Sequence, residues 1–504
     1  MMKSYKEVEG RFKRLTDLNG ALAVLHWDSA AMMPAGGATA RADQITALSM
    51  VCHEMMVDPS LAELMSEAEA EADKSPDDFD NWRLANLTEM RRTWRHANAV
   101  PSDLVEALSQ ATSACEMVWR DARPDNDFAR LQPLLSDLVS LVQEVAAAKS
   151  DALGVAPYDA LLDEFDPGTR SADIDPLFDD LDIFLPEFLQ KVTDVQANGQ
   201  QPEAFAGSFA IADQRALAER LMHQLGFDFD FGRLDISHHP FTGGVPDDVR
   251  ITTRYYEDDF TQSLMGVLHE TGHALYERGL PAQWRHQPVG LARGMTMHES
   301  QSLIIEMLAC RSEEFVRYLT PLVRETFSGS GPAWETENLV RLYRRVTPGL
   351  IRVDADEVTY PAHVILRYRL EKNLISGNLA VADLPGAWNE AMQKSLGLTP
   401  PDDRDGVLQD IHWPSGAFGY FPTYTLGAIA AAQLFDAAQS DNDAVLTGLE
   451  QGDFEPLLSW LRAHVHGQGS LMSTQDLMIQ ATKQPLDIDI YKAHLTRRYL
   501  GSQN

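Results

Sequence analysis

The stretch that decides the fold is DDFTQSLMGVLHETGHALYERG, residues 258–279. Aspartates at its start suit the N-terminal cap of a helix, and Gly279 at its end, with Pro281 two residues later, suits its termination. Residues four positions apart share one face of a helix, so the imidazoles of His269 and His273 can converge on a single cation. Glu270 projects about 100° away, where its carboxylate can accept a proton from water. The segment therefore predicts one helix that carries a metal-dependent hydrolytic centre.

A third ligand has to come from outside this helix, because a catalytic zinc keeps three protein ligands and leaves one position open. The sequence HESQS, residues 298–302, begins another segment with apolar residues at helical spacing. Glu299 follows His273 by 26 residues, which is enough for a loop and a second helix packed beside the first. Glu299 is the favoured third ligand, and His298 is the alternative.

Most of the chain outside these motifs has apolar residues at the helical period. Further helices are predicted at 101–119, 131–145, 213–225, 356–375 and 384–396. The interval 227–256 differs, because alternating and β-branched residues predict strands at 227–231 and 248–256 on either side of a turn-rich connection. The charge-rich segment 67–80 is predicted to be a solvated connection. The sequence thus predicts a mainly α protein with a small antiparallel β-sheet beside the motif helix.

The composition excludes several classes of function. The chain has 504 residues and a formal net charge of -33, so its surface repels phosphate backbones and anionic lipid headgroups. We therefore expect neither nucleic acid nor a membrane as partner. No apolar run is long enough to cross a bilayer and no apolar signal region is found at the N-terminus, so the default expectation is a cytoplasmic protein. Cys52, Cys115 and Cys310 are scattered and are interpreted as ordinary buried thiols.

At its metal motifs the chain resembles the Taq-type zinc metallocarboxypeptidase family, and the similarity extends over nearly the whole length. The metal motifs are HETGH at 269–273 and HESQ at 298–301. The other motifs of the family occur in the family's order: LHWD at 25–28, HPF at 239–241, DVRIT at 248–252, IRVDAD at 351–356 and GVLQDIHW at 406–413. A series of motifs in one order is far more specific than one zinc motif.

The resemblance implies a large helical, saddle-shaped, zincin-like fold with a deep cleft, like that of the neurolysin and angiotensin-converting enzyme group. We expect a single metallocarboxypeptidase domain over residues 1–504, with approximate lobes at 1–210 and 211–504. The resemblance also implies a homodimer that releases amino acids one at a time from peptides with a free C-terminus, with broad specificity.

Carried over to this sequence, the resemblance makes the two histidines of the motif helix and Glu299 the ligands of one zinc ion, and Glu270 the general base. Cobalt and manganese are the candidate substitutes for zinc. Leu303 departs from the thermolysin-like pattern, which has an aspartate at the matching position to orient a histidine. Asp356 is a candidate for that role, since ligating histidines usually donate their other N–H to a carboxylate or carbonyl.

Arg352 matches the basic position of the family that is proposed to hold the free carboxylate of the substrate. A guanidinium suits this task, because it binds a carboxylate through two parallel hydrogen bonds. The alternative is a structural ion pair with Asp354 or Asp356.

The segment 412–424 is similar to the stretch of neurolysin-like enzymes in which a histidine and a tyrosine donate hydrogen bonds to the oxyanion. The spacing of 12 residues from His412 favours Tyr424 as the tyrosine donor. Tyr420 is the alternative donor and a candidate substrate contact, and either ring can instead be a packed aromatic.

The HPF turn and the strand at 248–256 resemble the family's barrier that limits how far a substrate extends. His239 and Arg250 are therefore candidate substrate contacts, and the strand is a candidate sheet edge along which a peptide lies. For Asp248 and Arg250 themselves, we prefer a salt-bridged scaffold as the direct role.

Overall fold

Helices dominate the architecture, which a computed structural model describes for residues 2–501. The part before the sheet contains α1 (Lys3–Ala31), α2 (Ala38–Val57), α3 (Pro59–Lys74), α4 (Asn81–Ala99), α5 (Ser102–Asp125), α6 (Phe128–Leu153), α7 (Pro157–Phe165), α8 (Ser171–Asn198) and α9 (Ile211–Gln224). The sheet contains β1 (Gly232–Ile236), β2 (Phe241–Val245) and β3 (Asp248–Thr253). The motif helix α10 (Phe260–Gly279) comes next, followed by α11 (Met295–Leu303), α12 (Glu313–Phe327), α13 (Thr336–Tyr343), α14 (Tyr360–Ile375), α15 (Leu384–Leu396), α16 (Pro422–Asp441), α17 (Ala444–Leu449), α18 (Glu455–His464), α19 (Thr474–Thr482) and α20 (Ile488–Leu500). Within residues 2–501, none of these helices combines the length and apolar character that a membrane span requires.

The predicted helices are confirmed, with boundaries that local hydrogen bonds decide. The helix predicted at 384–396 has those bounds in the structure. The helix expected from 356 begins only at Tyr360. The reason is that the Asp356 carboxylate accepts hydrogen bonds from the backbone N–H groups of Val358 and Thr359 and closes a turn ahead of the helix.

The segment 67–80 is only partly a solvated connection, because α3 continues to Lys74. Ala68 and Ala72 lie four residues apart and are buried in a core cluster that α1 shares. These small side chains form an apolar stripe among the acidic residues, and this stripe extends the helix beyond what the charge pattern predicts.

The sheet is mixed rather than antiparallel. Its strand order is β1-β3-β2, with β1 parallel and β2 antiparallel to β3. The strand predicted at 227–231 is wrong, since this segment is an irregular turn in which Phe227 and Phe229 pack edge to face with ring centroids 4.9 Å apart. Part of the predicted connection forms β2 instead. Because β3 has a partner strand on both sides, the expectation that it offers a free edge to a peptide is also wrong, and β2 is the edge strand that contacts α10.

Close helix crossings bring the metal motifs together. A Cβ atom at Gly272 of α10 would lie 2.6 Å from the Cα of Ser302 in α11. A Cβ atom at Gly427 of α16 would lie 2.8 Å from the side chain of Glu299. Both distances are shorter than van der Waals contact, so only glycine permits them. Helix α11 is therefore held tightly between α10 and α16, with Glu299 at the crossing.

Hydrophobic cores join helices that are distant in sequence. One core combines α6, α8, α14 and α16, and within it the rings of Phe178 and Tyr368 lie 5.1 Å apart. A second core surrounds α10 and contains Leu268 and Phe315. The approximate lobe boundary at residue 210 stays a prediction.

Candidate active site

Two helices bring together three side chains with metal-ligand chemistry. His269 and His273 lie on α10, Glu299 lies on α11, and one nitrogen or oxygen atom of each comes within 4.8 Å of the others. His273 Nε2 lies 3.8 Å from a Glu299 oxygen, and the two histidine rings have centroids 4.9 Å apart. Two imidazole nitrogens and one carboxylate oxygen are a common donor set for catalytic zinc, with bonds of about 2.0–2.2 Å. The donor set therefore fits one zinc ion.

His298 lies outside this group of three, which is the one found among residues 2–501. Its Nε2 lies 2.9 Å from the Glu277 carboxylate. Its ring stacks on that of His273 at a centroid distance of 4.5 Å. The contact with Glu277 engages Nε2 of His298, and Glu299 is the residue of this pair that meets the two histidines of α10.

Glu306 orients the first histidine. Its carboxylate lies 3.0 Å from Nδ1 of His269, and Arg311 forms an ion pair with its other oxygen. This contact leaves Nε2 of His269 free to face the ligand group. Burial disfavours the imidazolium of His269, but the carboxylates of Glu306 and Glu299 outweigh burial and raise its pKa to about 10. The concentration of negative charge therefore favours a bound cation.

The expectation that Asp356 supports a histidine ligand is wrong. Its carboxylate instead accepts hydrogen bonds from three backbone N–H groups of its own loop. Sequence reasoning missed Glu306, although a signal was present. Glu306 follows Glu299 by seven residues, or two helical turns, and so shares its face. The connecting turn, Ile304–Ala309, is a π-helix continuous with α11, a feature that often marks functional sites.

Thr242 of the edge strand β2 holds the carboxylate of Glu270. Its hydroxyl oxygen lies 2.7 Å from Oε2 and 2.9 Å from the backbone oxygen of Glu270. Burial raises the pKa of the Glu270 carboxyl, while the neighbouring His269 opposes this rise. Thr242 directly follows the HPF motif, so this motif places the edge strand against the catalytic helix. Sequence reasoning also missed this contact.

A cavity of about 610 Å³ lies beside the ligand group, a size that suits a short stretch of peptide. The predicted site residues in its lining are His269, Glu270, Glu299, Arg352 and Tyr424. Other predicted site residues, all within the described part of the chain, are absent from this lining: His273, His412, Tyr420, His239 and Arg250.

Asp410 holds the guanidinium of Arg352. Nε and Nη2 of Arg352 lie 3.1 and 2.8 Å from Oδ1 of Asp410, and Nη1 donates to the Tyr360 hydroxyl at 2.8 Å. Burial raises the pKa of the Asp410 carboxyl, but Arg367 and Arg352 outweigh burial and hold that pKa far below its usual value. The alternative of an ion pair between Arg352 and an aspartate of its own motif is therefore wrong. Arg345 also lines the cavity, is exposed, and has no ion pair within residues 2–501.

Aromatic packing places Tyr424 at the cavity and His412 farther from it. The ring of Tyr424 lies 5.2 Å from the guanidinium carbon of Arg352 and 6.4 Å from the ring of His412. Tyr420 packs edge to face against Phe165 with centroids 5.1 Å apart. Burial and the neighbouring Arg352 lower the pKa of His412 to about 4, so its imidazole is neutral near pH 7. A neutral imidazole still offers one N–H donor.

Arg250 belongs to a scaffold around Trp27. Its Nε and Nη2 contact the Asp248 carboxylate at 3.0 and 2.7 Å, so the predicted salt bridge is present. Its guanidinium carbon lies 4.3 Å from the Trp27 ring, and that of Arg233 lies 5.0 Å from the same ring. The LHWD motif of α1 is thus joined to the sheet. His239 is exposed and precedes the edge strand.

Comparisons with known proteins give one consistent result. Residues 7–499 match the family model of carboxypeptidase Taq (M32) metallopeptidases. The chain is 39% identical to thermostable carboxypeptidase 1 of Thermus thermophilus over 492 residues, which cover 95% of this chain and 94% of that protein. It is 33% identical to carboxypeptidase 1 of Bacillus subtilis, over 98% of this chain and 97% of that protein.

Solved structures of carboxypeptidases are also similar to this chain. Metallocarboxypeptidase 1 of Trypanosoma cruzi is similar with a TM-score of 0.96 and 41% identity, covering 99% of this chain and 100% of that one. A carboxypeptidase structure from Pyrococcus furiosus is similar with a TM-score of 0.93 and 30% identity, covering 99% of each chain. The predicted fold class and the family resemblance are confirmed.

Proposed function

The chain belongs to the carboxypeptidase Taq (M32) metallopeptidase family, and from this membership we propose how its own residues carry out the reaction. It is a zinc-dependent metallocarboxypeptidase, and therefore a peptide hydrolase. The proposed ligands are His269, His273 and Glu299, and the proposed general base is Glu270. The observation that carries this assignment is the convergence of three ligand atoms within 4.8 Å, beside Glu270 and a cavity of about 610 Å³.

Each of the residues around the cavity has a separate proposed role in the reaction. Bound zinc supplies Lewis acidity, which acidifies water and polarises the scissile carbonyl. The carboxylate of Glu270, held by Thr242, accepts a proton from the attacking water and then delivers it to the leaving amine. The phenol O–H of Tyr424 donates to the oxyanion that forms at the carbonyl. His412, with its neutral imidazole, is the second proposed donor.

Arg352 is proposed to bind the terminal carboxylate of the peptide. A guanidinium has five N–H groups, and Asp410 and Tyr360 engage three of those of Arg352. Two N–H groups remain for a carboxylate, on a guanidinium whose orientation is fixed before the substrate binds. Such preorganisation reduces the entropy lost on binding.

One peptide prepared with a free and with an amidated C-terminus tests this role. We expect wild-type protein to release the terminal residue from the free peptide and to leave the amide intact. Arg352→Gln should raise KM for the free peptide about ten- to a hundredfold, because a hydrogen bond to a charged group contributes about 1.5–3 kcal/mol. Arg345→Gln is the matched control, since Arg345 lines the same cavity but is exposed.

Two outcomes would contradict the assignment. Equal cleavage of both peptides by wild-type protein would reject exopeptidase action. Loss of discrimination in Arg345→Gln, with Arg352→Gln unaffected, would transfer the carboxylate role to Arg345.

Metal analysis tests the ligand group. Treatment with a chelator should abolish the timed release of single amino acids, and added zinc should restore it. Glu299→Gln should lose most of the bound zinc, whereas His298→Gln, beside it in sequence, should retain the metal. Protein free of divalent ions that still shortened peptides would overturn the proposal.

The broader assignments rest on the family resemblance. We propose one catalytic domain over residues 1–504 with approximate lobes meeting near residue 210, a homodimer, and a cytoplasmic location. Support for a single domain comes from the core that joins α8 with α14. Sedimentation velocity tests the dimer, for which we expect one species at twice the chain mass of 56.1 kDa.

The edge strand β2 and the HPF turn before it are proposed to close the far end of the cleft to longer peptides. His239 is exposed there and available to a substrate. Arg250 acts indirectly, through its contacts with Asp248 and Trp27. Tyr420 supports Tyr424, whose ring lies 5.2 Å away.

A further inference from the structure

One buried carboxyl holds both ends of the loop that lies between the proposed oxyanion donors, His412 and Tyr424. Glu371 of α14 has no exposed surface. Its Oε1 accepts a hydrogen bond from Trp413 Nε1 at 2.9 Å, and its Oε2 accepts one from the backbone N–H of Gly419 at 3.1 Å. The hydroxyl of Tyr158 donates to Oε2 at 2.8 Å. The carboxyl therefore has three donors, two of which belong to the loop.

The two loop contacts adjoin the proposed donors in sequence. Trp413 directly follows His412, and Gly419 directly precedes Tyr420. Tyr424 lies in the first turn of α16, which begins at the end of the same loop. Glu371 is thus hydrogen bonded to the loop at the residues directly beside His412 and Tyr420.

Helix α7 restricts the loop from the other side. Gly419 has φ +89°, and a Cβ atom there would lie 2.8 Å from the backbone nitrogen of Leu162 in α7. Any other residue would be strained in this conformation and would clash with the helix. Tyr158, the third donor to Glu371, also lies on α7. The loop is therefore packed against α7 and hydrogen bonded to α14, and one carboxyl connects all three.

We propose that Glu371 is a positioning residue for the reaction, which fixes the loop 412–420 so that the hydroxyl of Tyr424 meets the developing oxyanion. The inference rests on the proposed function of Tyr424. A carboxyl without exposed surface is costly unless its hydrogen bonds are satisfied, and here both loop N–H groups depend on it. Displacing a catalytic group by about 1 Å can cost about a hundredfold in rate. A purely structural role predicts lower stability with unchanged kcat.

Glu371→Gln tests the proposal with little change in shape. Oε1 accepts from Trp413 and Oε2 accepts from Gly419. In glutamine an amide nitrogen replaces one of these oxygens, and because this nitrogen cannot accept a hydrogen bond, one of the two loop contacts is lost in either orientation of the amide. Above the pKa of Glu371, where the wild-type carboxyl is ionised and both of its oxygens accept, we expect kcat to fall about ten- to a hundredfold, KM to change less than about twofold, and zinc content to stay constant. Glu89→Gln is the matched control, because Glu89 is also buried and paired but lies on α4 with Arg92 and Arg293 as partners. Glu89→Gln is expected to lower stability without lowering kcat, and the same result for Glu371→Gln would overturn the proposal.

A double-mutant cycle with Tyr424→Phe separates this inference from the proposed function. If Glu371 acts through Tyr424, Tyr424→Phe alone and the double variant should have the same kcat within about threefold. If the two losses multiply instead, the Glu371 proposal fails while the role of Tyr424 stands. If Tyr424→Phe keeps full activity, the donor assignment fails and the inference fails with it.

Trp413→Phe is the second variant, for the case that Glu371→Gln does not fold. It removes only the N–H donor to Oε1 and keeps an aromatic ring in the core. We expect kcat to fall about tenfold and amide hydrogen exchange to become faster in the loop 412–420. Unchanged kcat would overturn the proposal, whether or not amide exchange in the loop becomes faster.

Discussion

The hydroxyl of Thr242 offers the sharpest test of how the general base is held. Thr242→Val removes this hydroxyl and keeps a β-branched side chain in the edge strand. The hydroxyl lies 2.7 Å from Oε2 and 2.9 Å from the backbone oxygen of Glu270. It carries one proton, which both oxygens share. The substitution therefore removes the hydrogen bond from β2 that orients the Glu270 carboxylate.

The expected magnitude follows from this contact. A hydrogen bond to a charged group contributes about 1.5–3 kcal/mol, and each ~1.36 kcal/mol in the barrier changes the rate tenfold. If the full contribution acts in the transition state, kcat falls about ten- to a hundredfold. KM should change less than about threefold, because Glu270 is proposed to contact the attacking water rather than the peptide chain.

Steady-state release of the terminal amino acid from one defined peptide measures both constants, and metal analysis verifies that zinc content is unchanged. Thr242→Ser is the matched control, since it keeps the hydroxyl and should retain kcat within about threefold of wild type. The reasoning is refuted if Thr242→Val, with full zinc content, keeps kcat within about twofold of wild type.

Three further predictions concern catalysis, packing and pH. Glu270→Gln should keep bound zinc and lower kcat by about 10²–10⁴, and unchanged turnover would reject the base assignment. Gly272→Ala should destabilise the fold by about 2–3 kcal/mol and reduce zinc binding, because the new Cβ would lie 2.6 Å from the Cα of Ser302. Gly266→Ala on the same helix meets no atom within 4 Å and should instead stabilise by about 0.5–1 kcal/mol, so thermal unfolding of the pair isolates the close contact. Burial raises the pKa of Glu371 from 4.5 to about 7, so the folded protein holds a proton that the unfolded chain releases in this window. The stability contributed by this group is full below pH 4.5 and is lost as the pH rises to about 7. Urea unfolding of Glu371→Gln should therefore show a flatter pH dependence there than wild type.

The helices and the zinc motif could be predicted from the sequence where the residues that determine them lie within one short segment. The helix at 384–396 has its predicted bounds, because apolar spacing and end signals lie within one short segment. The pairing of His269 and His273 is local in the same sense, since a four-residue spacing on any helix places both rings on one face. The family motifs add order along the chain, and the comparisons confirm the family that they indicate.

The supporting contacts could not be predicted in this way, since they join segments far apart in sequence. Arg352 pairs with Asp410 rather than with an aspartate of its own motif, across 58 residues. Glu306 rather than Asp356 contacts His269. The alternation at 227–231 predicts a strand, but the two phenylalanines pack within a turn and the sheet begins at Gly232. Strand order and direction depend on hydrogen bonds between chain segments, which no short-range pattern contains.

By itself, the sequence determined a helical chain, a histidine pair one turn apart and the family of zinc carboxypeptidases, because each of these follows from spacing or from a motif. Only the tertiary structure decided which neighbours complete the site. Glu299 lies within 4.8 Å of both histidines because α11 is held between α10 and α16 by contacts that Gly272 and Gly427 permit. A helix crossing at that distance depends on both partners at once, and therefore it is a property of the packed fold and not of either segment.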